Sequence, residues 1–185
     1  MASAFAHIVI PIITYATLKS RHVSLRLFFL AAALSIFPDI DVIAFKFGIP
    51  YESQWGHRGF THSLAFAFGI ALFAALFKHP LRSHPLAIFC LCFIACSSHA
   101  LLDAMTNGGL GVALYWPFDH SRVFLPFRPI QVSPIGLAEF FTGRGLNVLS
   151  SELFWVFLPG TILSIIGILL RRKHQKNNNS LSKTS

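Results

Sequence analysis

Apolar residues along the chain collect into five long runs. Phe60–Phe77, Pro85–Leu102 and Leu153–Leu170 are nearly uninterrupted. Ala2–Leu18 is interrupted by His7 and Pro11, and Val23–Phe45 carries Arg26 near its start and Asp39 and Asp41 near its end. A helix needs about 20 apolar residues, with a range of roughly 17–25, to cross a bilayer. The pattern predicts an all-α fold, a polytopic membrane helical bundle of about five transmembrane helices. The first run lacks the basic start and small-residue cleavage site of a signal peptide, so it is expected to belong to the mature fold.

Composition agrees with this picture. Of the 185 residues 54% are hydrophobic, 12% are charged and 20 are Phe, which excludes an ordinary soluble domain. Length predicts a single domain, here residues 1–174, followed by a disordered cytoplasmic tail at 175–185 that is rich in Asn, Ser and Lys. Cys90, Cys92 and Cys96 share one apolar run, where cysteine reads as a small packing residue rather than part of a disulfide framework.

The net charge of +8 is unevenly placed. Ten of the fifteen Lys and Arg, and none of the seven acids, fall on one side of the predicted bundle. They are Lys19, Arg21 and Arg26 in one turn, Lys78 and Arg82 in another, and Arg171, Arg172, Lys173, Lys176 and Lys183 at the end. Lys46, Arg58, Arg122, Arg128, Arg144 and every acid lie on the other side. The positive-inside rule predicts the N-terminus outside and the C-terminus in the cytoplasm. In a bacterial inner membrane the acidic side would face the periplasm. The basic excess reads as a topogenic signal that also attracts anionic lipid, and direct nucleic-acid binding is not expected.

The rare polar residues gather on the acidic side. His57-Arg58-Gly59-Phe60-Thr61-His62-Ser63 places two imidazoles, a guanidinium and two hydroxyls directly at the start of an apolar run. Imidazole binds transition metals and guanidinium binds phosphate or carboxylate; Thr61 or Ser63 could instead cap the helix. Asp39 and Asp41 follow Pro38 at a helix end, as hard oxygen ligands or as a pair of bases with unequal pKa values. His99 and Asp103 stand at i and i+4 and project from one helix face, able to chelate an ion or to orient one another. His7 lies near the outer end of the first run, where a histidine is either interfacial or functional.

Residues 104–152 read as a long outer connection. Gly108-Gly109-Leu110-Gly111 is not a dinucleotide fingerprint, because no strand–helix unit surrounds it. Arg122 and Arg128 sit among Tyr115-Trp116-Pro117-Phe118 and Phe124-Leu125-Pro126-Phe127, either as a lid offering arginines to an anionic head group or as an interfacial anchor.

Taken together, His7, Pro38-Asp39-Ile40-Asp41, the 57–63 stretch, Ser98-His99-x-x-x-Asp103 and Tyr115-Trp116-Pro117 resemble the YdjM family, over about residues 1–130. Those proteins are inner-membrane metal-dependent hydrolases, also described as LexA-regulated or LexA-binding. The His-x-x-x-Asp element is more distantly similar to the zinc-dependent phospholipase C and P1 nuclease group, which cleaves phosphoesters. The resemblance implies a metal-dependent phosphoesterase.

Three readings follow. The first is a membrane-bound hydrolase of a lipid or lipid-linked phosphoester. In it His57, His62, His99 and Asp103 bind metal, and His7 with Asp39 or Asp41 completes a second position. The remaining aspartate acts as base, and Arg58, with Arg122 or Arg128, meets the substrate's charge. Zn2+ suits mixed His and Asp ligands, with Mn2+ or Fe2+ as alternatives, one or two ions in all. The second is a transporter or ion pathway using the same residues, and the third a non-enzymatic membrane protein that binds a cytoplasmic partner.

Overall fold

The computed structural model describes residues 1–18, 23–135, 137–141 and 143–181. The basic residues Lys19, Arg21 and Lys183 lie outside them. The order of elements is α1 (Ala4–Leu18), α2 (Leu25–Leu34), a 3-10 helix (Phe37–Phe47), a 3-10 turn (Phe60–His62), α3 (Leu64–Ala75), α4 (Lys78–Leu81), α5 (Pro85–Ala104), α6 (Leu137–Phe140), α7 (Gly143–Glu152) and α8 (Leu158–Leu181). Leu153–Phe157 forms a π-helical turn joining α7 to α8. The fold is all-α, and its only strand-like features among the described residues are the isolated bridges Thr106–Ile130 and Val112–Val123.

Three helical stretches are long and apolar enough to cross a membrane: Leu25–Phe47, Pro85–Ala104 and Gly143–Lys173. They correspond to the second, fourth and fifth predicted segments, and the first and third correspond to the shorter apolar helices Ala4–Thr17 and Leu64–Ala75. That third helix starts later than the apolar run because Phe60–His62 turns as 3-10 and Ser63 caps α3, its Oγ accepting the Phe66 N–H at 3.0 Å. Ser63, not Thr61, is the cap.

α5 is the central element, packed against α1, α2 and α3, and α8 lies on α1. Small residues bring the helices close. Ala31, Ala71, Ala74, Cys92 and Ala95 meet with Leu27, Leu34, Ile88 and Leu91 between α2, α3 and α5. Cys92 is therefore a packing residue. Gly160 serves the same end in α8, since a Cβ there would fall 2.6 Å from Val9 Cγ1 of α1. The outward faces are apolar, with Phe68, Leu72 and Phe73 on α3 and Ile162, Leu163, Ile166 and Leu169 on α8 exposed.

The sequence predicts a break at Pro159-Gly160. Instead the helix continues, and the π turn just upstream supplies the wider ring that accommodates a proline lacking its N–H. Residues 143–152 are helical rather than loop, held by buried Val148 and by Glu152, whose oxygens accept the Ser3 N–H and hydroxyl at 2.5 Å each. The α8 backbone is helical through Leu181, into the stretch that the sequence reads as a tail.

Residues 105–135 close one end of the bundle without a long helix of their own. Leu125 N–H bonds to Ala104 carbonyl, Ala113 N–H to Arg58 carbonyl and Leu64 N–H to Leu114 carbonyl. These bonds tie the connection to the ends of α3 and α5, where the polar residues lie.

Candidate metal centre

Pro38 sits in the first turn of the 3-10 helix, where its missing N–H costs nothing. At three residues per turn, Asp39 and Asp41 point roughly 120° apart around that helix. They end on opposite sides of one imidazole. Asp41 Oδ2 lies 3.1 Å from His62 Nδ1, and Asp39 Oδ1 lies 3.6 Å from His62 Nε2. Asp41 is otherwise fully engaged, with Oδ1 2.7 Å from His57 Nδ1 and Oδ2 accepting the Arg58 N–H at 3.1 Å and the Thr61 hydroxyl at 2.6 Å.

His99 and Asp103 enter from successive turns of α5. His99 Nδ1 stands 2.8 Å from the Ser35 carbonyl, a contact that requires the proton on Nδ1. In the neutral rings its Nε2 is then a lone pair, as is that of His62 when Nδ1–H points at Asp41. These two Nε2 atoms are 3.0 Å apart. Facing lone pairs at that distance repel, and either a proton shared between the two nitrogens or a metal ion bound by both removes the repulsion. Asp103 Oδ2 is 3.7 Å from His62 Nε2, and Asp39 Oδ1 is 3.3 Å from His99 Nε2.

The donor set fits a metal ion. One ligand atom from each of Asp39, His62, His99 and Asp103 lies within 4.8 Å of all the others, and all four residues are buried. Tetrahedral ligands at about 2.0–2.2 Å from zinc lie about 3.3–3.6 Å from one another; the His62–His99, His62–Asp39, His62–Asp103 and His99–Asp39 separations run from 3.0 to 3.7 Å. Both Asp39 oxygens are buried with no hydrogen-bond partner. With the imidazoles neutral, four buried carboxylates, Asp39, Asp41, Asp103 and Glu152, stand against two buried cations, the Arg58 guanidinium and the N-terminal amine. The surplus of two negative charges equals the charge of one divalent ion, and a buried uncompensated charge costs several kcal/mol.

Asp41, His57 and His62 form a second grouping of metal-ligand types. There the carboxylate oxygens already accept hydrogen bonds, so the Asp39-centred set fits an ion better. His57 is linked to the first set through Asp41, with its Nε2 buried and unpartnered. His7 stacks on His99, ring centroids 3.8 Å apart, with Nε2 3.6 Å from Asp103 Oδ1 and neither ring nitrogen hydrogen-bonded. It stands at the edge of the centre, outside both groupings of ligand atoms.

The arginines have separate places. Arg58 is wholly buried with φ 63°. It donates Nε–H to Asp103 Oδ2, Nη1–H to Gly108 carbonyl and Nη2–H to Thr106 Oγ1, each at 3.0 Å. It thus holds a ligand carboxylate rather than facing open space. Arg122 donates to the carbonyls of His57, Tyr51 and Ser53 at 2.8–2.9 Å, fastening the 48–59 loop to the outer connection. Burial pushes the phenol of the adjoining Tyr51 up. Arg128 is exposed and stacks on Phe124, 4.7 Å from the ring centroid.

Several contributors carry no sequence signal of their own. The Ser35 carbonyl fixes His99, Thr61 serves Asp41, and the Ala2 N–H donates to Asp103 Oδ1 at 2.6 Å. Gly109 is one that could have been suspected, since it lies in the glycine-rich run. It adopts φ +90°, and a Cβ there would meet Arg58 Nη1 at 2.7 Å and the Tyr51 hydroxyl at 3.0 Å. The run wraps the guanidinium that supports the ligand set.

Against known families, the model described as "YdjM inner membrane protein" matches residues 1–174. The chain belongs to the YdjM family. It is 38% identical over 174 residues to "Inner membrane protein YbcI" of Escherichia coli (strain K12), covering 94% of this chain and 99% of that protein. No solved structure matches the chain. Membership accords with the apolar spans and places the chain among inner membrane proteins. The buried His and Asp cluster is thus a feature of a membrane-embedded fold.

Proposed function

We propose that this protein is a membrane-bound, metal-dependent hydrolase that cleaves a phosphoester of a lipid or lipid-linked substrate. The observation that carries the reading is the Asp39–His62–His99–Asp103 set, with two imidazole Nε2 atoms 3.0 Å apart beside a buried carboxylate that has no hydrogen-bond donor. These four residues would hold Zn2+, with Mn2+ or Fe2+ as alternatives. Such an ion lowers the pKa of water toward about 7 and polarises a phosphoryl oxygen.

The chain's own groups supply the rest. Asp41 and the Ser35 carbonyl fix the two imidazoles through Nδ1, and Arg58 holds Asp103 in place. Asp39 is the one ligand that also lines a surface opening. Its Oδ2 accepts a proton from the attacking water as the water oxygen bonds to phosphorus. The ester P–O bond breaks, and the leaving oxygen takes up the proton that Asp39 received, which restores the carboxylate. Of Arg58, Arg122 and Arg128, Arg128 is the exposed one, available to an anionic head group. The distribution of Lys and Arg supports a centre on the periplasmic side, with the C-terminus in the cytoplasm. Gathering the ionisable groups at one end of the bundle favours a reaction centre over a conducting path.

The test is phospholipid turnover by purified protein supplemented with zinc or manganese, compared with His99→Ala and Asp103→Ala. Hydrolysis in wild type that falls by at least about a hundredfold in both variants supports the reading. Equal hydrolysis in all three proteins would rule out this mechanism.

A further inference from the structure

Three helices measure how far the His and Asp cluster lies from the basic side of the bundle. On α5, His99 follows Pro85 by about 21 Å, at 1.5 Å per residue. α3 separates His62 from the turn carrying Lys78 and Arg82, and its 12 residues span about 18 Å. On α1, His7 precedes Ala16 by about 14 Å, and the Ala16 carbonyl accepts a hydrogen bond from Arg171 at 3.0 Å. Arg26 donates to the Pro80 carbonyl at 2.8 Å, so α2 starts level with the same basic turn. The hydrocarbon core of a bilayer is about 30 Å thick. With the basic ends at one interface, the cluster stops roughly 10 Å or more short of the other. Tilt of the helices only lowers these heights.

The surface beyond the cluster agrees. The apolar stretch Leu25–Phe47, long enough to cross a membrane, does not end at Asp39 but runs on to Phe47. In a 3-10 helix, residues three apart stack on one another. Phe37, Ile40 and Ile43 therefore form one outward stripe, all three exposed, whereas Asp39 and Asp41 are buried. Further out, Phe47, Phe118 and Phe127 are exposed close in sequence to exposed Lys46, Asp119 and Arg128. Such a mixture of aromatic and charged groups suits a membrane interface. Single exposed apolar residues are ordinary in water, but a stripe continuous with a spanning segment is not.

We propose that the Asp39–His62–His99–Asp103 cluster lies inside the hydrocarbon layer of the leaflet opposite the basic side, and that the 105–135 connection docks in the head-group layer of that leaflet. The partner of this surface is the lipid itself. On the hydrolase reading above, the substrate is then drawn from the adjoining leaflet, and a water-borne phosphoester would have to pass the connection. The depth rests on helix lengths and exposed side chains, not on that reading.

The test places a nitroxide on Ile40→Cys or Ile43→Cys in the full chain, with exposed Cys90 replaced by Ser. The protein is reconstituted in vesicles of phosphatidylglycerol and phosphatidylcholine. Electron paramagnetic resonance compares collision with oxygen, which concentrates in hydrocarbon, and with a water-soluble nickel chelate. The ratio of oxygen to nickel access at both positions is expected to exceed that of a label on exposed His120→Cys by about tenfold. Equal ratios at all three would overturn the proposal. Should the labelled variants fail to fold, the wild-type Trp55, Trp116 and Trp155 decide. Their emission is expected to be quenched at least about threefold more by lipids brominated high on the acyl chain than by aqueous iodide, and stronger quenching by iodide would overturn the proposal. Neither readout needs turnover. Deep labels without hydrolysis retain the depth and remove the hydrolase reading, and hydrolysis with water-exposed labels does the reverse.

Discussion

Asp39→Asn gives a change of sign that depends on whether a cation is bound. The substitution keeps the side chain's shape and removes its charge. In wild type both carboxylate oxygens are buried without a hydrogen-bond partner. Without a cation, that charge costs several kcal/mol, and neutralising it raises stability. With a cation, the same substitution removes a ligand and the binding free energy that goes with it. At a metal concentration of about one hundred times Kd, bound metal stabilises the fold by about 2.7 kcal/mol. For a chain of this size about 1 kcal/mol corresponds to roughly 2–4 °C in Tm, so the wild type should melt about 5–10 °C higher with metal than after chelation. Asp39→Asn should lose most of that increment, and in chelator should melt at or above the wild-type temperature. Melting in detergent followed by the fluorescence of Trp55, Trp116 and Trp155, with zinc or with chelator, reads all four states. An Asp39→Asn protein more stable than wild type in zinc, or a wild type indifferent to zinc, would refute the reasoning.

Further substitutions separate support of the site from support of the fold. Arg58→Met leaves Asp103 as a buried charge without its guanidinium and should destabilise the protein by about 3–5 kcal/mol, read as lost thermal stability together with reduced metal content. Gly109→Ala forces a side chain into φ +90° and against Arg58 Nη1; it should lower metal affinity in a zinc titration although Gly109 offers no ligand. Ser63→Ala removes the α3 cap and should cost about 1 kcal/mol in a melt while leaving metal stoichiometry unchanged.

The sequence exposes the ligand set because hydrocarbon makes polar residues rare, and each one retained in an apolar run stands out. Run ends and charge placement alone bring His62, His99 and Asp103 together, but with His57 as the fourth ligand and with Asp39 and Asp41 interchangeable. Orientations are not legible there. Asp39 and Asp41 look equivalent in the sequence, yet the turn of the 3-10 helix sends one toward Nε2 of His62 and the other toward Nδ1, separating a ligand from the group that orients it. Arg58 reads as a substrate-binding guanidinium, and only contacts to Asp103, Thr106 and Gly108, far along the chain, reveal that it supports the ligands. The helix at 143–152 was hidden by its Gly, Asn and Ser content. Burial of Val148 and the bonds from Ser3 to Glu152 decide its structure where local propensity does not.

Metal content of the detergent-purified protein, measured by mass spectrometry beside His99→Ala, tests the central claim most directly. About one or two zinc or manganese ions per chain in wild type, lost in the variant, is the predicted result. No stoichiometric metal in wild type, even after incubation with both ions, would contradict the account.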